Sequence, residues 1–253
     1  MAHLPPAPDL RGASAQSLRA HRRAPGRLAT PWPAQQIDLG LREYGEVLRL
    51  QQDLVAERQA ETIPDTLVLV EHPHAITTGR SARPENVLDA GDVPVFAIER
   101  GGDVTYHGPG QIVAYPIFQL RESERDLHRY LRGLEETILR TLADFHLAGT
   151  RRPGLTGVWT ADEGAPDEGE PRKLASIGVA VRKWVTLHGL ALNVNTDLAG
   201  FAAIHPCGFD ASVMTSMARE LGQPVDFVAV KNALTNHIAA VFDRAWLPTV
   251  DSP

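Results

Sequence analysis

Two consecutive stretches constrain the fold most: Lys173-Leu-Ala-Ser-Ile-Gly-Val-Ala-Val-Arg182 and Trp184-Val-Thr-Leu-His-Gly-Leu-Ala-Leu-Asn-Val194. Both are long, apolar and rich in β-branched residues, the composition of strands. A tight turn near Arg182-Lys183 pairs them antiparallel. Thr66-Leu-Val-Leu-Val-Glu-His72 and Pro94-Val-Phe-Ala-Ile-Glu99 read as buried strands, and Gly157-Val-Trp159 as a short one. Helical spacing takes over elsewhere. From Gln36 to Thr62, Leu41, Tyr44, Val47, Leu48, Leu54 and Val55 recur at a helical period. From about Ser123 to Leu147, the residues Leu127, Tyr130, Leu131, Leu134, Ile138, Leu142 and Phe145 form one apolar stripe. Ser123 with Asp126 suits the start of that helix. Further helices are expected near Ser212 to Leu221 and from about Asp226 to Ala245.

The chain of 253 residues is long enough to bury one sizeable core. No internal repeat and no linker divides residues 36 to 246, so a single domain is expected over 34–246. Residues 1–33 carry Arg11, Arg19, Arg22, Arg23 and Arg27 against the single acid Asp9, amid Pro and Ala. That composition suits a disordered tail, or alternatively an organelle-targeting peptide. Residues 161–172, acidic and rich in Gly and Pro, suit a surface loop, and 247–253 a short C-terminal tail. A net charge of −6 argues against a protein built to wrap nucleic acid. No apolar run reaches the roughly 18–20 residues that span a bilayer. The single cysteine, Cys207, can make neither an internal disulfide nor a Cys-rich zinc site, and fits a reducing, intracellular setting. His72-Pro73-His74 lacks a nearby third ligand, so no metal is expected there.

Arg100 to Tyr115, Arg-Gly-Gly-Asp-Val-Thr-Tyr-His-Gly-Pro-Gly-Gln-Ile-Val-Ala-Tyr, is not a core-filling sequence. Gly101 and Gly102 lack a Cβ and let backbone N–H groups approach a ligand closely. Gly108-Pro109-Gly110 suits a type II turn. A glycine-rich turn between two core strands is the plain alternative; a binding loop accounts for more of the residues.

Cys207 lies between Pro206 and Gly208. Two readings are open: a nucleophile with the Gly208 N–H as oxyanion donor, or a turn around a buried Cys. A thiol becomes a strong nucleophile as its thiolate, which a neighbouring cation favours. Lys173 is the candidate cation, although a lysine at that position also suits the exposed end of a strand.

These stretches together resemble the lipoyl(octanoyl) transferases. Arg100 to Gln111 matches that family's signature nearly residue for residue. Glu71-His-Pro…Gly79-Arg80 is similar to its upstream motif. Lys173-Leu-Ala-Ser-Ile-Gly178, His188-Gly-Leu-Ala-Leu-Asn-Val-Asn195 and His205-Pro-Cys-Gly208 match its later motifs in order, so the resemblance covers about residues 36–245. It implies an α/β (α+β) fold: a mixed, largely antiparallel sheet flanked by helices, as in biotin and lipoate protein ligase catalytic domains. It implies an acyltransferase that moves an octanoyl or lipoyl group from acyl carrier protein to a lysine of a lipoyl domain. The acceptors would be 2-oxoacid dehydrogenase complexes and the glycine cleavage H protein. No cofactor, metal, nucleotide, nucleic acid or membrane would be involved, and a cytoplasmic monomer is expected.

The resemblance places the acyl-thioester nucleophile on Cys207 and its activating lysine on Lys173. It places substrate contacts on Arg100, Gly101, Gly102, Asp103, Val104, Thr105, Tyr106 and His107, on Ser176, Ile177 and Gly178, and on Gly189, Leu190 and Ala191. Arg80 and Arg100 are expected to meet the acidic carrier or its phosphopantetheine arm, and backbone N–H groups near Gly178 or Gly208 the oxyanion. The tail and the acidic loop look longer than the family needs. An ATP-dependent lipoate or biotin ligase, a non-catalytic acyl-binding protein and a thiol hydrolase are the alternatives. The Pro-Cys-Gly setting argues against the first, and no Cys-His-Asn order supports the last.

Overall fold

The computed structural model describes residues 30–161 and 171–248. Alternation of Ile37 and Leu39, buried, with Asp38 and Gly40, exposed, makes the first element a strand, β1 (Trp32–Leu41). The helix expected from residue 36 therefore begins only at Tyr44, as α1 (Tyr44–Gln59). The chain then returns as β2 (Asp65–Glu71), parallel to β1. Trp32 and Pro33 thus belong to the sheet rather than to the tail. The remaining strands of the large sheet are β6 (Gln111–Ile117), β7 (Gly149–Arg152), β8 (Leu155–Thr160), β9 (Lys173–Arg182), β10 (Val185–Asn193) and β11 (Arg244–Trp246). Among the described residues this sheet has eight strands in the order β11-β1-β2-β6-β10-β9-β8-β7. Its pairings are antiparallel except β11 with β1 and β1 with β2, so it is mixed and largely antiparallel.

The β9–β10 hairpin turns on Lys183 and Trp184, whose φ values of 49° and 66° are those of a type I′ turn. Along β2, Leu67 and Leu69 point to one face, and Val68 and Val70 to the other. The first face packs on α2 (Leu127–Asp144) and α4 (Phe227–Val241) through Leu134, Ile138, Leu142, Val230 and Leu234. The second packs on α1 through Val47, Leu54 and Val55. Burying each such side chain contributes about 1.5–3 kcal/mol. The short helix α3 (Met217–Leu221) is capped by Ser216, and the expected helix from Ser212 is instead this element preceded by a separate turn at Ala211–Val213. Asp126, not Ser123, caps α2, accepting the Arg129 N–H at 3.0 Å. The last helix stops at Val241, short of Ala245, because Arg244–Trp246 pairs with β1.

A small sheet lies beside the large one: β3 (Ala75–Thr78) between β4 (Val95–Ala97) and β5 (Val104–His107). β4 was expected to be a buried strand over 94–99. It is a three-residue edge strand with Val95 46% exposed. Most of the acidic segment and of both tails lies outside the described residues. Among the described residues no helix is long and apolar enough to cross a membrane.

Candidate active site

Between α1, the small sheet and the α1 face of β6, β9 and β10 lies a cavity of about 560 Å³. Its walls begin with the loop from Arg100. Arg100 is 8% exposed and donates to the Thr77 carbonyl (2.9 Å), Thr77 Oγ1 (3.0 Å) and the Gly101 carbonyl (3.0 Å). It is a girder between β3 and its own loop and also lines the cavity; Arg80 is exposed. Gly101 donates to Val179 at 2.9 Å and pins the loop to β9. The contact is close enough that a Cβ on Gly178 would meet Arg100 Cδ at 2.7 Å. The Gly108–Gly110 segment is the type II turn anticipated. Gly110 has φ +80°, and the Gln111 N–H reaches the Gly108 carbonyl at 3.2 Å.

Lys173 opens β9 and Cys207 sits in the turn Pro206–Gly208. Lys173 Nζ donates to Cys207 Sγ at 3.4 Å, across 34 residues of sequence. Lys173 is 3% exposed, while Cys207 is exposed at the cavity mouth. The lysine is aimed by three local features. A bulge at Leu174 interrupts β8–β9 pairing, because Val158 and Trp159 face Ala175 and Lys173. Gly157, at φ +127°, clears the path of the lysine stem; a Cβ there would lie 2.9 Å from Lys173 Cε. The ammonium lies 5.5 Å from the Trp159 ring centroid, and Arg152 also lies over that ring at 5.1 Å. The Thr215 N–H fixes the Lys173 carbonyl at 3.0 Å.

Cys207 itself is held at φ 56°, ψ 30°, a left-handed conformation uncommon outside glycine and a form of stored strain. Its turn is tied to the Arg100 loop by a chain of bonds. Asp103 accepts from Asn86 Nδ2 at 2.5 Å, and the Asn86 carbonyl accepts the His205 N–H at 2.8 Å. The Gly208 N–H closes the turn on the His205 carbonyl at 3.0 Å. It is therefore not the open oxyanion donor that the Pro-Cys-Gly sequence suggests. Gly178 stands further in, against Arg100 and Gly101.

Of the residues expected from sequence, Lys173, Cys207, Arg100, Gly102, Asp103, Val104, Thr105, His107, Ser176, Ile177, Gly178, Gly189, Leu190 and Ala191 line this one cavity. Gly101 and Tyr106 do not. The Tyr106 ring packs against Phe201 in a separate core and its hydroxyl bonds His74 Nδ1 at 2.5 Å. Sequence reasoning did not single out Tyr44, Trp159, His188 and Phe209, which are among the other lining residues. His188 lies inside a quoted motif; the others carry no local signal.

The inner histidines are neutral. Burial pushes His107 down to about 3, helped by His72, and pushes His72 and His188 down to about 4. His107 Nδ1 donates to Gln111 Oε1 at 2.8 Å, and Gln111 Nε2 continues to Asn193 Oδ1 at 2.9 Å. His72 donates from Nδ1 to the Arg42 carbonyl (2.7 Å), which leaves Nε2 to accept the Tyr115 hydroxyl (2.9 Å). The arrangement is a thiol and an amine at the mouth of a pocket with mainly aliphatic, aromatic and neutral polar walls, into which Arg83, Arg100 and Asp103 also reach. It suits acyl transfer from a thioester.

Comparison with known proteins bears on the same region. Residues 43–239 match the family model described as the lipoyl protein ligase A/B catalytic domain. The chain is 48% identical over 211 residues to an octanoyltransferase of Syntrophotalea carbinolica, covering 83% of this chain and 95% of that protein. It is 48% identical over 207 residues to an octanoyltransferase of Geobacter metallireducens, covering 82% and 92%. Its fold is that of solved ligases. A lipoate-protein ligase A bound with ATP superposes with a TM-score of 0.64 at 14% identity, covering 86% of this chain and 88% of that one. The bipartite lipoate protein ligase of Thermoplasma acidophilum gives 0.65 at 16% identity, covering 86% of each.

Proposed function

Because this chain belongs to the lipoyl protein ligase A/B catalytic-domain family, we propose that Cys207 and Lys173 carry an octanoyl group from acyl carrier protein to a lipoyl-domain lysine. The chain is an acyltransferase, and the relatives it matches are octanoyltransferases. The observation that carries the reading is the 3.4 Å contact between Lys173 Nζ and Cys207 Sγ at the mouth of the cavity.

The Lys173 amine takes the Cys207 proton, and the resulting ammonium stabilises the thiolate beside it. The thiolate attacks the thioester carbonyl. A C–S bond forms to Cys207, the carrier's C–S bond breaks, and the departing phosphopantetheine thiolate takes a proton from Lys173. Neutral Lys173 then accepts a proton from the target lysine as that amine attacks the acyl-enzyme. An amide forms and the Cys207 thiolate leaves. Covalent catalysis divides one difficult transfer into two easier ones. The thioester already supplies the activation, so ATP has no part in the scheme. Lipoyl domains of 2-oxoacid dehydrogenase complexes and of the glycine cleavage H protein are the acceptors this chemistry fits.

The test is octanoylation of a purified lipoyl domain by octanoyl-acyl carrier protein without ATP, followed by mass. Transfer by the wild type and its loss in Cys207→Ala support the scheme. A requirement for ATP and free octanoate would instead mark a ligase, and unchanged transfer by Cys207→Ala would remove the covalent step.

A further inference from the structure

His188 is the least satisfied side chain in the cavity wall. It is 2% exposed, and among the described residues neither ring nitrogen has a hydrogen-bond partner. β10 stays paired with β9 through His188, but its pairing with β6 begins only at Leu190. Pairing of Leu190 with Ala114 and of Val185 with Gln119 puts His188 opposite Pro116. Proline has no N–H to give the ladder, and the Pro116 carbonyl accepts the Thr186 hydroxyl at 2.6 Å. The His188 N–H turns out of the ladder to Gln51 Oε1 at 2.9 Å. His188 takes φ +59°, a left-handed value inside a strand. Strand alternation would group its side chain with Leu190 and Leu192, and like Leu190 it lines the cavity.

The position of His188 along the cavity follows from register. The Lys173 ammonium lies against Gly157, whose neighbour Val158 pairs with Ala175. His188 pairs with Val179. Four residues of β9 separate the two levels, about 13 Å at strand spacing. An extended medium-length acyl chain on Cys207, laid along β9 past Ser176 and Gly178, therefore brings its far end toward His188.

We infer that His188 is a specificity-determining residue, forming a subsite for a hydrogen-bonding group at the far end of the acyl chain, so that ω-hydroxylated medium-chain acyl thioesters are substrates. A neutral imidazole offers one donor and one acceptor, and a hydroxyl matches either tautomer. A wholly apolar end wall would strip water from that hydroxyl without replacing the bond. This inference rests on the acyl-enzyme reading above.

The test is a competition within one sample. Wild type is mixed with equimolar octanoyl- and 8-hydroxyoctanoyl-acyl carrier protein, and the two Cys207 adducts are resolved by intact mass. The ratio is internal, so a reduced folded fraction does not alter it. The hydroxylated chain is expected to give at least as much adduct as octanoyl. His188→Leu is expected to lower the hydroxyl-to-octanoyl ratio about tenfold, the worth of one lost hydrogen bond. His188→Asn, which tolerates the left-handed φ and keeps a donor and an acceptor, retains the preference. Octanoyl adduct with the hydroxylated chain excluded, or the same ratio in His188→Leu, overturns this inference alone. No adduct from either chain overturns the acyl-enzyme reading and this inference with it.

Discussion

Gly157→Ala tests how the sheet aims the lysine. The new Cβ would lie 2.6 Å from the Ala175 carbonyl and 2.9 Å from Lys173 Cε, and would occupy φ +127°. The conformational strain is about 1–3 kcal/mol, and overpacking adds about 1–3 kcal/mol. Together they take about 2–6 kcal/mol from a fold whose total stability is of order 5–15 kcal/mol, lowering the melting temperature by about 5–20 °C. The carbonyl is fixed in the sheet, whereas the lysine stem can swing, so Lys173 moves first. It then leaves Cys207 Sγ and the Trp159 ring. A charge-assisted hydrogen bond is worth about 1.5–3 kcal/mol, which slows acylation roughly 10- to 150-fold. Melting curves and rapid-quench acylation by octanoyl-acyl carrier protein measure the two effects separately. Gly91→Ala is the control: its φ is +51° and nothing lies within 4 Å of the added atom. Wild-type acylation in Gly157→Ala, with melting no lower than in Gly91→Ala, would refute the reasoning.

Lys173→Arg keeps the positive charge and loses the base. It is expected to form acyl-enzyme but to pass the acyl group on about 10²- to 10⁴-fold more slowly, read by single-turnover transfer to a lipoyl domain. Tyr106→Phe removes the bond to His74 and is expected to lose about 1 kcal/mol in urea unfolding, with KM for the acyl donor unchanged, since the ring faces away from the cavity. Asp65→Asn leaves Arg58, Arg244 and Arg121, now at 2.7, 2.8 and 3.6 Å from its oxygens, without their shared counter-charge. The expected cost is about 3–5 kcal/mol. Burial opposes the Asp65 charge, but Arg244, Arg121 and Arg58 together hold its carboxyl below the ordinary value of 3.8. A depressed carboxyl stabilises above that value and ceases to as pH falls through the lower folded one. Wild-type melting temperature should fall over that acid window, and the variant's should lose that component.

Most of what could be read from sequence was local. Strand patterns at Thr66–His72 and in the two long runs after Lys173, the stripe along α2 and the Gly-Pro-Gly turn each depend on neighbours within a few residues. Nonlocal features were not legible in the same way. Gln36 to Leu41 alternates with period two, yet it abuts a helix, and its apolar residues also fit a helical period. Arg244–Trp246 is three residues long and becomes a strand only because β1 offers an edge. Gly157 is an ordinary strand glycine until Lys173 is laid across it. Trp159 reads as core, and it is core; its role under the ammonium depends on strand register. The motif at Cys207 suggested a free Gly208 N–H, but the turn consumes it. Candidate residues were thus found where chemistry is written in consecutive letters, and the supports of those residues were not.

The central claim is that Cys207 carries the acyl group. Intact mass of the full chain after mixing with octanoyl-acyl carrier protein tests it most directly, with Cys207→Ala measured beside it and an acceptor lipoyl domain added afterwards. The account predicts a single octanoyl adduct on the wild type, none on Cys207→Ala, and disappearance of the adduct as the lipoyl domain gains the same mass. Octanoylation of the lipoyl domain at the wild-type rate by Cys207→Ala, with no adduct on either enzyme, would contradict it.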